Sequence, residues 1–193
     1  MGPHKPIAGR EFYRQVYALL ADASPLAGDC GELCHKACCT LESPESRQLG
    51  IYLLPGEETM FTGHEDWLVW EEQRAEHYDF PSSWHGPVFF VHCTSTCPRP
   101  QRPMQCRTFP LAPHYLPGGT LTLIWETMPL PYVCPLVKDK WPLRQDFILA
   151  LGRAWQLLTQ EPLIRDLVQW DSRHRYRQGD PVQIVLVIPE VGA

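Results

Sequence analysis

Apolar positions recur with a helical period near both ends of the chain and run strand-like between them. Phe12, Val16, Leu19 and Leu20 predict an amphipathic helix over residues 10 to 22 that stops near Ser24-Pro25. Leu143, Phe147, Leu151, Ala154 and Leu158 mark a long helix from Trp141 onward, and Leu163, Leu167 and Trp170 mark a second that opens at Pro162. Gly50-Ile51-Tyr52-Leu53-Leu54, Val88-Phe89-Phe90-Val91 and residues 120 to 125 read as strands, being β-branched or aromatic runs bounded by Gly and Pro. Pro55-Gly56 ends the first of them, and Glu57 to Phe61 reads as a helical turn. Residues 182 to 188 predict a last strand whose apolar run also fits a partner-facing edge. Residues 65 to 78, rich in Glu and Trp, show no clean period and predict no regular element. Residues 93 to 119, crowded with Cys, Pro and Arg, read as a long loop that needs a function or a metal to order it.

Composition adds that the chain can bury a core without staples. It has 193 residues, 44% hydrophobic and 20% charged, enough for one compact domain over residues 1 to 193. The first residues lack the apolar stretch of a signal peptide, and no apolar run approaches the length that spans a bilayer. A cytoplasmic, membrane-free protein is expected. The net charge of −5 argues against nucleic acid, and the basic run from Arg173 to Arg177 reads as a solvated helix end.

The eight cysteines change the picture most. They occupy three places: Cys30, Cys34, Cys38 and Cys39; Cys93, Cys97 and Cys106; and Cys134. None falls in the helical segment from 141 to 178. In a reducing compartment such clusters are metal ligands or redox groups more often than bridges. On a helix Cys30, Cys34 and Cys38 would share one face, while Cys39 would sit about 100° round from Cys38. Prolines stiffen the loop that carries Cys93, Cys97 and Cys106, reducing the chain entropy lost on metal binding. Arg99, Arg102 and Arg107 stand among these thiols and would either offset thiolate repulsion or pair with surface carboxylates. Sets of four thiolates suit both zinc and iron–sulfur clusters. Cys97-Pro98 and Cys134-Pro135 together with the absence of a C-x2-C knuckle tilt the reading toward iron.

These residues resemble the YkgJ or CxxCxxCC family, described as zinc- or iron-chelating domains with eight cysteines. The resemblance rests on the cluster from Cys30 to Cys39, on Cys93 and Cys97, and on Arg102-Pro103-Met104-Gln105-Cys106-Arg107-Thr108-Phe109-Pro110, which is similar to an R-P-x-x-C-R-x-[FY]-P block. Cys134-Pro135-Leu136 resembles a late Cys-Pro element, and the likeness spans roughly residues 28 to 137. The first group departs from it, having gaps of three residues where the family name implies two. The resemblance implies metal chelation through all eight cysteines and no particular reaction.

The expected fold is therefore α+β: a small cysteine-rich, metal-organised region with short strands, over residues 28 to 137, packed against a largely helical C-terminal part. His35, His92 and His114 lie near thiols in sequence and are candidate replacement or supporting ligands. Glu57 and Glu58 could orient a ligand, but an exposed turn is the default. Whether the chain is an enzyme stays open. Flagellin lysine methylases look similar in their cysteine region, so a redox or protein-methylation role for the cluster is the alternative to metal holding. Only Gly118-Gly119 offers a glycine pair for a donor or nucleotide turn, and it joins loop to strand. Trp67, Trp70 and Trp84 read as exposed, and with the last strand they leave a protein partner open.

Overall fold

The computed structural model describes residues 8–38, 49–179 and 181–189. The architecture is α+β, with two three-stranded antiparallel sheets and helices packed chiefly against the second.

Helix α1 (Arg10–Leu19) forms where expected, but its buried face is rotated from the one the spacing suggested. Tyr13, Val16 and Tyr17 go inward, Phe12 is half-buried, and Leu19 is 40% exposed. The reason is polar. Tyr13 donates to the Pro55 carbonyl and Tyr17 to the Glu57 carboxylate, so two aromatic residues with usable hydroxyls displace an aliphatic one.

The first sheet is built on β3 (Pro87–Cys93), flanked by β1 (Ile51–Tyr52) and β2 (Leu68–Arg74). Strand β2 falls in the stretch predicted to be irregular. Only Leu68 of its seven residues is buried, so there is no inside-outside alternation to read. Its hydrogen bonds to β3 make it a strand, through seven pairs from Leu68 opposite Cys93 to Arg74 opposite Pro87. Trp67 and Trp84 are 5% and 6% exposed, contrary to the exposed reading, and Trp70 is half-buried. Trp84 donates its indole N–H to the Leu163 carbonyl, and the Trp67 indole donates to Gln101.

The expected loop from 93 to 119 also contains structure. A single 3-10 turn, Arg99–Gln101, is followed by α2 (Met104–Thr108) and β4 (Leu111–Tyr115). Pro113 hides β4 from a pattern reading, yet β4 is an edge strand, where a missing N–H is tolerated. The second sheet runs β4-β5-β6, with β5 (Leu121–Trp125) buried along its whole length and β6 (Ile184–Val187) at the far edge. After the short α3 (Pro135–Lys138), helices α4 (Gln145–Leu158) and α5 (Pro162–Gln178) form as their periodicity requires. Their apolar faces close the main core with Tyr13, Leu123, Phe147, Leu151, Leu158 and Ile164. The C-terminal part is helical but not separate, because β6 returns to complete the second sheet. Among the described residues no helix is long and apolar enough to cross a membrane.

Candidate metal centre

The turn that carries the first cysteines is not the helix that C-x3-C-x3-C suggested. Asp29 accepts a hydrogen bond from the Gly31 N–H and starts a single 3-10 turn, Cys30–Leu33. The chain then bends through His35 (φ 52°) and Lys36 (φ 60°), both in the left-handed region. The Lys36 N–H returns to the Gly31 carbonyl at 2.8 Å, and the Ala37 N–H to that of Cys34 at 3.1 Å. Cys30, Cys34 and Cys38 thus sit on a folded-back loop and not on one helical face. Cys39 lies outside the described residues.

Two elements present the second group. Cys93 ends β3 opposite Leu68, and the next residue is tied down by the Thr94 N–H bonding the Trp67 carbonyl. Cys97 is buried in a small apolar cluster with Leu53, Phe61, Trp67, Leu68 and Val91. Cys106 lies in the middle of α2, and α2 is anchored by Glu57. That carboxylate is fully buried and accepts from the Tyr17 hydroxyl (2.7 Å), the Leu54 N–H (3.0 Å) and the Met104 N–H (2.6 Å). Burial pushes its pKa up, against the pull of those donors and of Arg107. The exposed-turn default for Glu57 is therefore corrected: it fixes the start of the helix that presents Cys106. A turn is formed here only because Gly56 (φ 88°) precedes it; a Cβ there would meet the Ala8 carbonyl oxygen at 1.9 Å.

Cys134 is the buried residue before α3, and backbone N–H groups of Leu136 and Val137 point at its sulfur. Such donors favour a thiolate, although burial outweighs them and raises the pKa.

The thiols are electrostatic neighbours across segments. Cys93 is hydrogen-bonded to Cys97 and is also raised by burial and by Cys106 and Cys38. Cys106 is pushed up to about 12 by burial, then by Cys97 and Cys38. Cys30 is pushed up to about 11 by burial, Cys38, Asp29 and Cys34, with Arg102 opposing. Cys134 feels both Cys34 and Cys38. Cys38 is the neighbour common to all four. No disulfide joins the seven described cysteines. Among the described residues, however, no three His, Cys, Asp or Glu side chains stand in ligating geometry.

The three arginines take different tasks. Arg102 lowers the cost of charge at Cys30 and Cys106. Arg107 lies 4.0 Å over the Tyr17 ring and binds the carbonyls of Arg99, Pro100 and Arg102, clamping the turn before α2. Arg99 donates to the Ala23 carbonyl. Of the histidines, His92 is half-buried with Nδ1 lacking a partner. His114 is fully buried between β4 and α5, where its Nε2 meets the Tyr176 hydroxyl at 2.9 Å.

A cavity of about 790 Å³ opens beside the thiols, and Cys30, Cys38, Cys93 and Cys106 line one part of it. The lining also includes Asp171, which no sequence motif singled out, and Arg175, expected in a solvated helix end. Their signal was present: Ile164, Val168, Asp171 and Arg175 follow each other at spacings of four, three and four along one helix face. Arg175 pairs with Glu126 at 3.7 Å and is mostly buried, so the expected solvated helix end is corrected at this residue.

The donor set fits a metal by its chemistry. Thiols that raise one another's pKa are thiolates in mutual repulsion once deprotonated, and a thiophilic cation removes that repulsion. No family model matches the chain, and no curated protein or solved structure matches it either.

Proposed function

We propose that the chain holds a thiophilic metal, zinc or an iron–sulfur cluster, through Cys30, Cys34, Cys38, Cys93, Cys97, Cys106 and Cys134, with Cys39 included on sequence alone. The observation that carries this reading is that Cys30, Cys38, Cys93 and Cys106, from two of the cysteine-bearing segments, line one cavity, with Cys134 an electrostatic neighbour of Cys34 and Cys38. Binding would draw these neighbours into ligating distance. The piece best able to move is the 30 to 38 turn, whose only buried residue is Gly31. Bound zinc would tie the segments together, and a cluster would add electron transfer. The YkgJ-type likeness of the Arg102 to Pro110 block supports the same assignment. Thiolate ligation persists in reducing compartments, which supports a cytoplasmic protein.

Anaerobic purification with metal analysis and a visible absorption spectrum tests the proposal. We expect near-stoichiometric zinc, or iron with sulfide and a brown chromophore. Cys38→Ser should lower metal content more than any other single replacement, because Cys38 neighbours Cys30, Cys93, Cys106 and Cys134. A stably folded, colourless, metal-free protein would refute the reading. A second reading, an enzyme that uses the centre, is favoured by the cavity into which the thiols open.

A further inference from the structure

The cavity is larger than a metal needs, and at about 790 Å³ it falls in the range of roughly 300–1,000 Å³ typical of small-molecule sites. Its charge runs against that of the chain. The protein has a net charge of −5, yet Arg99, Arg102, Arg107 and Arg175 line the cavity against two carboxylates, Glu126 and Asp171. Both carboxylates keep company with Arg175. Glu126 pairs with it at 3.7 Å, and where burial pushes the Asp171 pKa up to about 6, Arg175 is the largest opposing charge. The three other arginines are therefore a cationic surplus.

Those three are drawn together by the chain itself, because Arg107 binds the carbonyls of Arg99 and Arg102. Neither Arg99 nor Arg107 forms an ion pair among the described residues. Arg107 is occupied by its clamp on the turn and by the Tyr17 ring. Arg102 faces Cys30 and Cys106. Arg99 gives a single N–H, from Nη2, to the Ala23 carbonyl, and its Nε and Nη1 have no acceptor among the described residues. That bond also sets its surroundings. Ala23 lines the cavity with Leu20 and Pro25, both buried, so the exposed Arg99 guanidinium stands at the edge of an apolar wall. A planar fork of donors beside apolar surface suits a carboxylate that carries a hydrocarbon chain.

We infer that this cavity binds a small organic carboxylate whose head takes the free N–H groups of Arg99, with Arg102 adding charge behind them, and whose apolar body lies along Leu20 and Pro25. The site neighbours the proposed thiol centre but does not rest on a metal being bound there.

Calorimetric titration of the purified full chain near about pH 7, where a carboxylic acid is ionised, tests this with three probes. Hexanoate carries both features, hexanol replaces the carboxylate by a hydroxyl, and acetate lacks the chain. Hexanoate should bind at least about tenfold more tightly than hexanol, the increment expected of a charge-assisted hydrogen bond. It should exceed acetate by at least about tenfold as well, through its buried methylenes. Arg99→Gln should remove most of the advantage over hexanol while leaving hexanol unchanged, and Arg153→Gln, an exposed cation outside the cavity, should alter none of the three. Cys38→Ser separates this site from the metal: hexanoate binding lost in Cys38→Ser but retained in Arg99→Gln would put the carboxylate on the metal and overturn the inference. Equal affinities of the native protein for hexanoate and hexanol, acetate binding as tightly as hexanoate, or no binding of any probe also overturn it, whether or not a variant folds.

Discussion

Around Leu151 and Ile164 the chain is held by carbon packed on carbon, whereas the nine residues from Cys30 to Cys38 contain one buried residue, Gly31. In the first region α1, α4, α5 and the second sheet share a continuous apolar core. In the second, hydrogen-bonded turns and a small cluster under Cys97 give position without much packing. The difference teaches that the thiols are carried by a frame that rests mostly on other residues, with the 30 to 38 turn held by hydrogen bonds and little burial. Glu57 is the bridge between the two, bonding α1 on one side and the start of the Cys106 helix on the other.

The sharpest break of this contrast is Leu151→Ala on α4, a fully buried position. A loss of about 4 kcal/mol is expected in chemical denaturation, the sum of lost transfer energy and a cavity. A loss under about 1 kcal/mol would mean the core is not the frame.

Glu57→Gln comes next, at about 3 kcal/mol, because an amide cannot accept from the Tyr17 hydroxyl, the Leu54 N–H and the Met104 N–H together. It should also lower metal content, since α2 would lose its anchor. Unchanged metal content would disconnect Glu57 from the thiols.

His114 supplies a pH test of the packed region. Burial, and then Arg175, depress its pKa from the ordinary 6.5 to about 4. Between those values the unfolded chain binds a proton that the native protein does not, so stability is fully present above about pH 6.5 and falls as pH drops toward about 4. The loss attributable to this group should be about 3 kcal/mol at most. His114→Gln, which can still meet Tyr176, should flatten that part of the stability–pH curve; an unchanged slope would assign the dependence elsewhere.

At the small end, Leu19→Gln should change stability by less than about 0.5 kcal/mol, since Leu19 points outward. In metal-free protein Cys38→Ser should be equally mild, because Cys38 is exposed. A large destabilisation of the metal-free form would show that the turn is already part of the frame.

The three long helices were legible because their buried faces repeat at the helical period over ten or more residues, and the two buried strands because their runs are bounded by Gly and Pro. What stayed hidden depends on distant partners. Strand β2 exists by pairing with β3, and its own pattern, one buried residue in seven, says nothing of a sheet. Strand β4 was masked by Pro113, which its edge position tolerates. At the site, cysteine spacing located the segments but not their geometry, since no Gly or Asn marks the left-handed bend at His35 and Lys36. Thus Cys38, whose adjacency to Cys39 made its role ambiguous in the sequence, is the meeting point. Glu57 reads as an exposed turn and Asp171 as nothing in particular, because nothing local distinguishes a carboxylate that tertiary packing will bury.

The β2–β3 pairing has a consequence for which atoms the site contains. Side chains alternate across a strand, so a slip of one residue in this zipper would swap the faces of His92 and Cys93. An imidazole would then stand where the thiol now meets Cys97, turning an all-sulfur donor set into a mixed one. On the proposed reading, the softness of a metal centre here, and with it the choice among metals, would depend on the alignment of seven backbone pairs that contain only one of the cysteines.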